Sequence, residues 1–128
     1  MKLLLDTHAF LWFIAGNLAL SRKCRELIED DNNQKLVSIA SITEIAIKTS
    51  LGKLSLEQSF EEFIPQQLRR NNFYLHPFTL EHAMALSKLP FHHRDPFDRM
   101  IIAQCLTENL PILSNDGVFD AYGVNRLW

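Results

Sequence analysis

Four acidic residues, Asp6, Glu44, Asp98 and Asp116, stand where a fold could gather them for chemistry. Asp6 follows Leu3-Leu4-Leu5 and Asp116 follows Leu110–Leu113, two apolar runs that read as buried strands. Glu44 closes Ser41-Ile42-Thr43-Glu44, the pattern of a capping box, ahead of the apolar Ile45, Ala46 and Ile47. Asp98 falls in the first turn after Asp95-Pro96, an N-cap followed by proline at the first helical position. Two carboxylates about 5 Å apart at an effective dielectric of about 20 repel by roughly 3 kcal/mol. A domain stabilised by only ~5–15 kcal/mol cannot hold several such pairs without compensation. The apolar strand runs Leu3-Leu4-Leu5 and Leu110–Leu113 hold no lysine or arginine to neutralise them. Hard oxygen donors without neighbouring histidine or cysteine suit Mg²⁺ or Mn²⁺. Such ions activate water for in-line displacement at phosphorus, the chemistry of a nuclease.

Each acid also has an ordinary structural reading. Asp98 could serve the helix dipole, Glu44 only the capping box, and Asp116 the Ser-Asn-Asp-Gly turn. Asp6 resists such a reading most, because an acid closing a buried strand needs a partner. Asp95 is expected only to cap, and Asp120 to face solvent or cap locally. His8, His76, His82, His92 and His93 include no pair at the spacing of a zinc helix. His92-His93-Arg94 reads as a solvated loop that could touch a phosphate. Lys48, Lys53, Arg69 and Arg70 are scattered basic residues, and no RNA-binding set is assigned to them. There is no glycine-rich phosphate loop and no Ser/His/Asp arrangement.

The elements that must position the four acids follow from periodicity. Lys2–Leu5 reads as a strand, and Thr7 as the cap of a helix over Ala9–Ala15. Ser21 caps a second helix from Arg22 to about Asp31. Lys35–Ala40 is a strand feeding the helix of Glu44, which Gly52 ends. Ser55 opens a helix running to Arg69-Arg70, Phe73–Phe78 is a short strand, and Thr79 caps Leu80–Leu86. The Asp98 helix is apolar on nearly every side through Leu106, so it should be buried against a sheet. Leu110–Leu113 and Gly123–Leu127 supply the last strands. Strands alternating with helices predict an α/β fold with a mostly parallel sheet. In such a sheet, strand ends and the helix starts that follow them share one edge, where ligands bind.

The length of 128 residues suits a single domain over 1–128, without repeats or linkers. A formal net charge of −2 leaves no global electrostatic footprint for nucleic acid, so binding must rely on local patches or cations. Cys24 and Cys105 form no Cys-x-x-Cys pair and read as reduced core thiols of a cytoplasmic protein. Asp6 interrupts the opening apolar run too early for a signal peptide, and no run is long enough to span a bilayer.

These segments resemble a known family. Leu3-Leu4-Leu5-Asp6-Thr7-His8 with Leu11-Trp12 is similar to the opening of toxin-type PIN domains. Ser41-Ile42-Thr43-Glu44-Ile45-Ala46-Ile47-Lys48 with Gly52-Lys53-Leu54 resembles their second signature. His93-Arg94-Asp95-Pro96-Phe97-Asp98-Arg99-Met100-Ile101-Ile102-Ala103-Gln104 resembles the third, and Ser114-Asn115-Asp116 the fourth. Thr43 and Cys105 depart from the usual tryptophan and alanine, at positions expected to be packing ones. The resemblance implies a three-layer α/β/α sandwich and a VapC-like, Mg²⁺-dependent endoribonuclease of a toxin–antitoxin pair. It carries metal and catalytic roles to Asp6, Glu44, Asp98 and Asp116, with Thr7 and Ser114 hydrogen-bonding in support. It also implies a small antitoxin in an apolar groove, with the aromatic first helix (Phe10, Trp12, Phe13) as that groove or as a homodimer contact. Two alternatives remain: a non-catalytic PIN-like binding module, and a haloacid-dehalogenase-type phosphatase. The latter needs a second acid where His8 stands.

Overall fold

A computed structural model describes all 128 residues. In chain order the elements are β1 (Lys2–Leu5), α1 (Thr7–Ala15), α2 (Arg22–Glu29), β2 (Gln34–Ser38), α3 (Ile39–Ser50), α4 (Phe60–Arg70), β3 (Phe73–His76), α5 (Leu80–Ser87), α6 (Pro96–Glu108), β4 (Ile112–Leu113), a 3₁₀ turn (Gly117–Tyr122) and β5 (Arg126–Leu127). The five strands form one sheet in the order β3-β2-β1-β4-β5, and every pairing is parallel. The chain builds outward from β1 through β2 to β3, then returns to place β4 on the other side of β1. The ends of β1 and β4 therefore flank the point where connections leave in opposite directions, the usual ligand crevice of an open α/β sheet.

The two-residue periodicity of the strands divides the core. Leu3, Leu5, Val37 and Leu113 pack with Phe10, Cys24, Ile28, Phe63 and Ile64 on one face. Leu4, Leu36 and Ile112 pack with Ile101, Ile102, Ala103 and Phe119 on the other. The α/β/α layering agrees with the sequence. As expected, α6 is buried almost all round, from Ile101 through Cys105.

Several element ends differ from the sequence expectation. Helix α1 starts at Thr7, capped by Asp6, whose carboxylate accepts the Ala9 N–H at 2.8 Å. Helix α3 starts at Ile39, because the Ser38 hydroxyl accepts the Ala40 N–H at 3.0 Å and ends β2 there. The capping box at Ser41–Glu44 is thus overturned: both residues lie inside the helix, with their side chains buried. Helix α4 is capped by Ser59 rather than Ser55, with Glu61 and Glu62 in its first turn favouring the dipole. Helix α2 ends at Glu29, β3 at His76 before Pro77, and β5 begins only at Arg126. Thr43 is exposed on α3 and returns its hydroxyl to Ile39 O at 2.7 Å, so it is not a packing position.

Candidate active site

Asp6, at the end of β1, is only 5% exposed. Burial raises its pKa, and the Ser114 hydroxyl, the Ala9 N–H and His8 offset part of that rise. Asp116 lies beyond β4, across the crevice. Its Oδ1 accepts the Val118 N–H at 2.9 Å and so caps the 3₁₀ turn, while its own N–H donates to Ser114 Oγ at 3.0 Å. The buried Ser114 thereby ties the two strand-end aspartates together.

Asp98 enters from the first turn of α6. Asp95 holds that turn, accepting the N–H groups of Phe97 at 2.8 Å and Asp98 at 3.1 Å. Burial, then the negative charges of Asp95, Asp6 and Glu44, push the Asp98 carboxyl up to about 7 against an opposing pull from His93. Asp6 in turn feels the charge of Asp116. All four sequence-selected acids are therefore within electrostatic reach at one edge of the sheet. Asp95 serves as the cap. Asp120 is paired through both oxygens with Arg126 at 2.9 Å.

Glu44 arrives from the second turn of α3, not the first, and its partners differ from those expected. Its Oε1 accepts the Thr7 hydroxyl at 2.7 Å, a hydroxyl also 3.0 Å from Ser41 Oγ. Its Oε2 forms an ion pair with Lys48 at 2.7 Å, one turn further along the helix. That hydrogen bond raises the Lys48 pKa. Compensation comes from helix α3 and not from the strands: Lys48 neutralises Glu44 and leaves the three aspartates without a lysine or arginine ion-pair partner.

The residue that sequence reasoning missed is His93. Its Nε2 stands 2.7 Å from Asp116 Oδ2 and 3.2 Å from Asp98 Oδ2. The site does contain a histidine, contrary to expectation. Its Nδ1 accepts the Asp95 N–H at 3.1 Å, so the ring proton sits on Nε2 and is donated to Asp116 Oδ2. The sequence marked His93 only as part of a loop that could touch a phosphate, two residues ahead of Asp95, and not as a partner of the acids.

Carboxylate oxygens of Asp98 and Asp116 lie with His93 Nε2 within 4.8 Å of one another, and the buried Asp6 is within their electrostatic reach. Burial and neighbouring charges drive Asp98 toward protonation. Such hard oxygen donors fit a small divalent cation. A groove of about 820 Å³ opens beside them between α1 and α4, with Trp12, Leu56 and Phe63 as apolar lining and Lys48, Lys53 and Arg70 as basic lining. Phe10 is fully buried and does not reach this groove, so only Trp12 and Phe13 of the first-helix aromatics line it.

A PIN domain family profile matches residues 3–125 of the chain. Among curated proteins, no sequence matches it. The fold is similar to that of VapBC2 from Rickettsia felis bound to a promoter DNA fragment, with a TM-score of 0.74, 16% identity, and coverage of 99% of this chain and 98% of that one. It is also similar to VapBC-1 from nontypeable Haemophilus influenzae, with a TM-score of 0.68, 15% identity and coverage of 99% and 97%. For FitAcB from Neisseria gonorrhoeae the values are 0.62, 18%, 98% and 96%.

Proposed function

The chain belongs to the PIN domain family, and from that premise we propose that it is a Mg²⁺- or Mn²⁺-dependent endoribonuclease, the toxin of a toxin–antitoxin pair. The observation that carries this reading is the mutual electrostatic contact of Asp6, Asp98 and Asp116 beside the β1/β4 crevice. A binding module without chemistry has no need of three aspartates whose charges oppose one another.

Asp6, Asp98 and Asp116 would hold the cation, and Glu44 would complete the site. The cation supplies Lewis acidity at a phosphodiester oxygen and makes nearby water more acidic. The chain's own groups do the positioning. Thr7 and Lys48 fix both oxygens of Glu44, so its carboxylate can orient a water without swinging away. Ser114 sets the spacing of Asp6 and Asp116. Lys48 and Lys53 stand on the groove wall, where an RNA backbone would enter.

The partner reading rests on the complexes with which the fold is shared and on the groove itself. An antitoxin segment with apolar residues for Trp12, Leu56 and Phe63 and acidic residues for Lys53 and Arg70 would fill it. The alternative use of this face, through Trp12 and Phe13, is a homodimer contact. We place the protein in the cytoplasm on its two free, buried thiols, Cys24 and Cys105. No helix is long and apolar enough to cross a membrane.

Gel assays on RNA with Mg²⁺, Mn²⁺ or EDTA test the activity. Asp6→Asn and Asp98→Asn should each abolish metal-dependent cleavage, while Asp95→Asn should keep most of it, because asparagine caps helices well. Equal loss in all three variants would overturn the division of labour between Asp95 and Asp98.

A further inference from the structure

His93 is built into the site with more care than a loop histidine needs. The Tyr122 hydroxyl accepts the backbone N–H groups of His92 at 3.0 Å and His93 at 2.9 Å, and donates to Pro90 O at 2.8 Å. Arg99 donates to Pro90 O at 2.8 Å and Leu89 O at 3.3 Å, with its guanidinium 4.1 Å above the Phe91 ring. The His93 ring meets Phe119 edge-on at 6.0 Å. Main chain, ring face and Nδ1 are all fixed, and what remains is an Nε2–H aimed between two carboxylates.

A metal ligand cannot be held this way. Ligation through Nε2 requires the ring proton on Nδ1, yet Nδ1 already accepts a backbone N–H from Asp95. Resting on the metal-nuclease reading above, we infer that His93 is a built-in competitor of the cation: its Nε2–H donates to Asp116 Oδ2 and stands 3.2 Å from Asp98 Oδ2, and this hydrogen bond must break, with the proton kept on Nε2, when the ion binds. Tyr122, which touches neither carboxylate, is the positioning residue that keeps this donor in place. Asp116 Oδ2 is thereby hydrogen-bonded without metal, and metal affinity is lowered by what that bond contributes.

Manganese binding, followed by calorimetry and by electron paramagnetic resonance, tests the inference without any activity assay. Removal of one hydrogen bond to a charged group should tighten Mn²⁺ binding by His93→Ala roughly tenfold. Tyr122→Phe should shift it the same way by a smaller factor. Nitrogen-15 spectra of the wild-type imidazole, recorded with and without Mg²⁺, should show Nε2 protonated in both states. Weaker binding by His93→Ala, or loss of the Nε2 proton on Mg²⁺ addition, would make His93 a ligand and overturn the proposal. If His93→Ala is poorly folded, Tyr122→Phe and the spectra still decide, and unchanged affinity in Tyr122→Phe counts against the positioning role. Tight wild-type binding with no gain in either variant sinks this inference alone. Absence of Mn²⁺ binding in wild type and both variants sinks the metal-nuclease reading with it.

Discussion

At the scale of single residues, Asp98 has a measurable consequence. Its carboxyl is pushed up to about 7 by burial and by Asp95, whereas in the unfolded chain it returns to the ordinary value of 3.8. Between those values the folded, metal-free protein keeps a proton that the unfolded chain releases. Stability in EDTA should therefore fall as pH rises from about 4 to 7 and then level off. Allowing for partial solvent screening, the Asp98 contribution is about 1–3 kcal/mol. Asp98→Asn should flatten that slope and melt higher than wild type at pH 8 in EDTA. A wild-type curve already flat over this window would show that the carboxylates are not crowded. Asp6, Asp98 and Asp116 were legible in the sequence because each closes an apolar strand or opens a helix, positions that local pattern reveals. His93 was not, since its orientation depends on a tyrosine hydroxyl 29 residues away. Glu44 was chosen with the three aspartates, against a competing capping-box reading that the helix start at Ile39 removes. Its true partner Lys48, at i+4, was within reach of helical spacing alone.

At the scale of elements, the sequence showed which segments are helical or extended but not where each begins. Ser38 and Ser41 are both competent caps. The choice falls to Ser38 because Ser41 and Glu44 are held in the core by Thr7, a tertiary contact invisible to local pattern. Asp95-Pro96 was unambiguous, since a proline at the first helical position excludes other starts. The helices of the second layer are also fastened by a contact no periodicity suggests. Glu108, ending α6, accepts Nε2–H from His76 of β3 at 2.6 Å and from His82 of α5 at 2.8 Å. Burial alone would raise the Glu108 pKa, but these two donors lower it. His82 Nδ1 accepts the Thr79 N–H at 2.9 Å, so this trio is a hydrogen-bonded staple and not a ligand set. Glu108→Ala should destabilise the fold by about 1–2 kcal/mol in urea titrations at pH 7. The loss should shrink once pH falls below the ordinary glutamate value of 4.5 and through the lowered value of the folded carboxyl, where the wild-type group is itself protonated. An unchanged midpoint would mean the staple is idle.

At the scale of the whole molecule, alternation of strand and helix pointed to a parallel α/β sheet, but periodicity carries no information on strand order. That order is what gives the site its leverage. Asp6 directly follows β1, whose Leu3 and Leu5 lie in one core layer. Asp98 belongs to α6, which builds the other, and Asp116 to the segment leaving β4. A cation shared by the three would tie both layers and both directions of the chain, so its binding energy should appear in global unfolding and not in local loop ordering. By mass action, a free concentration a hundredfold above the dissociation constant adds about 2.7 kcal/mol. For a chain of this size that raises the melting temperature by roughly 8–15 °C. Asp6→Asn should start from a higher melting temperature in EDTA, having lost a repelling charge, and gain much less from Mg²⁺, having lost a ligand. Four unrelated structural acids would give another pattern: mild destabilisation by Asp6→Asn, through its weakened hold on the start of α1, and the same small Mg²⁺ response in both proteins. Thermal melts of the two proteins with EDTA and with millimolar Mg²⁺ separate these outcomes. Equal metal responses would break the link between strand order and a shared cation.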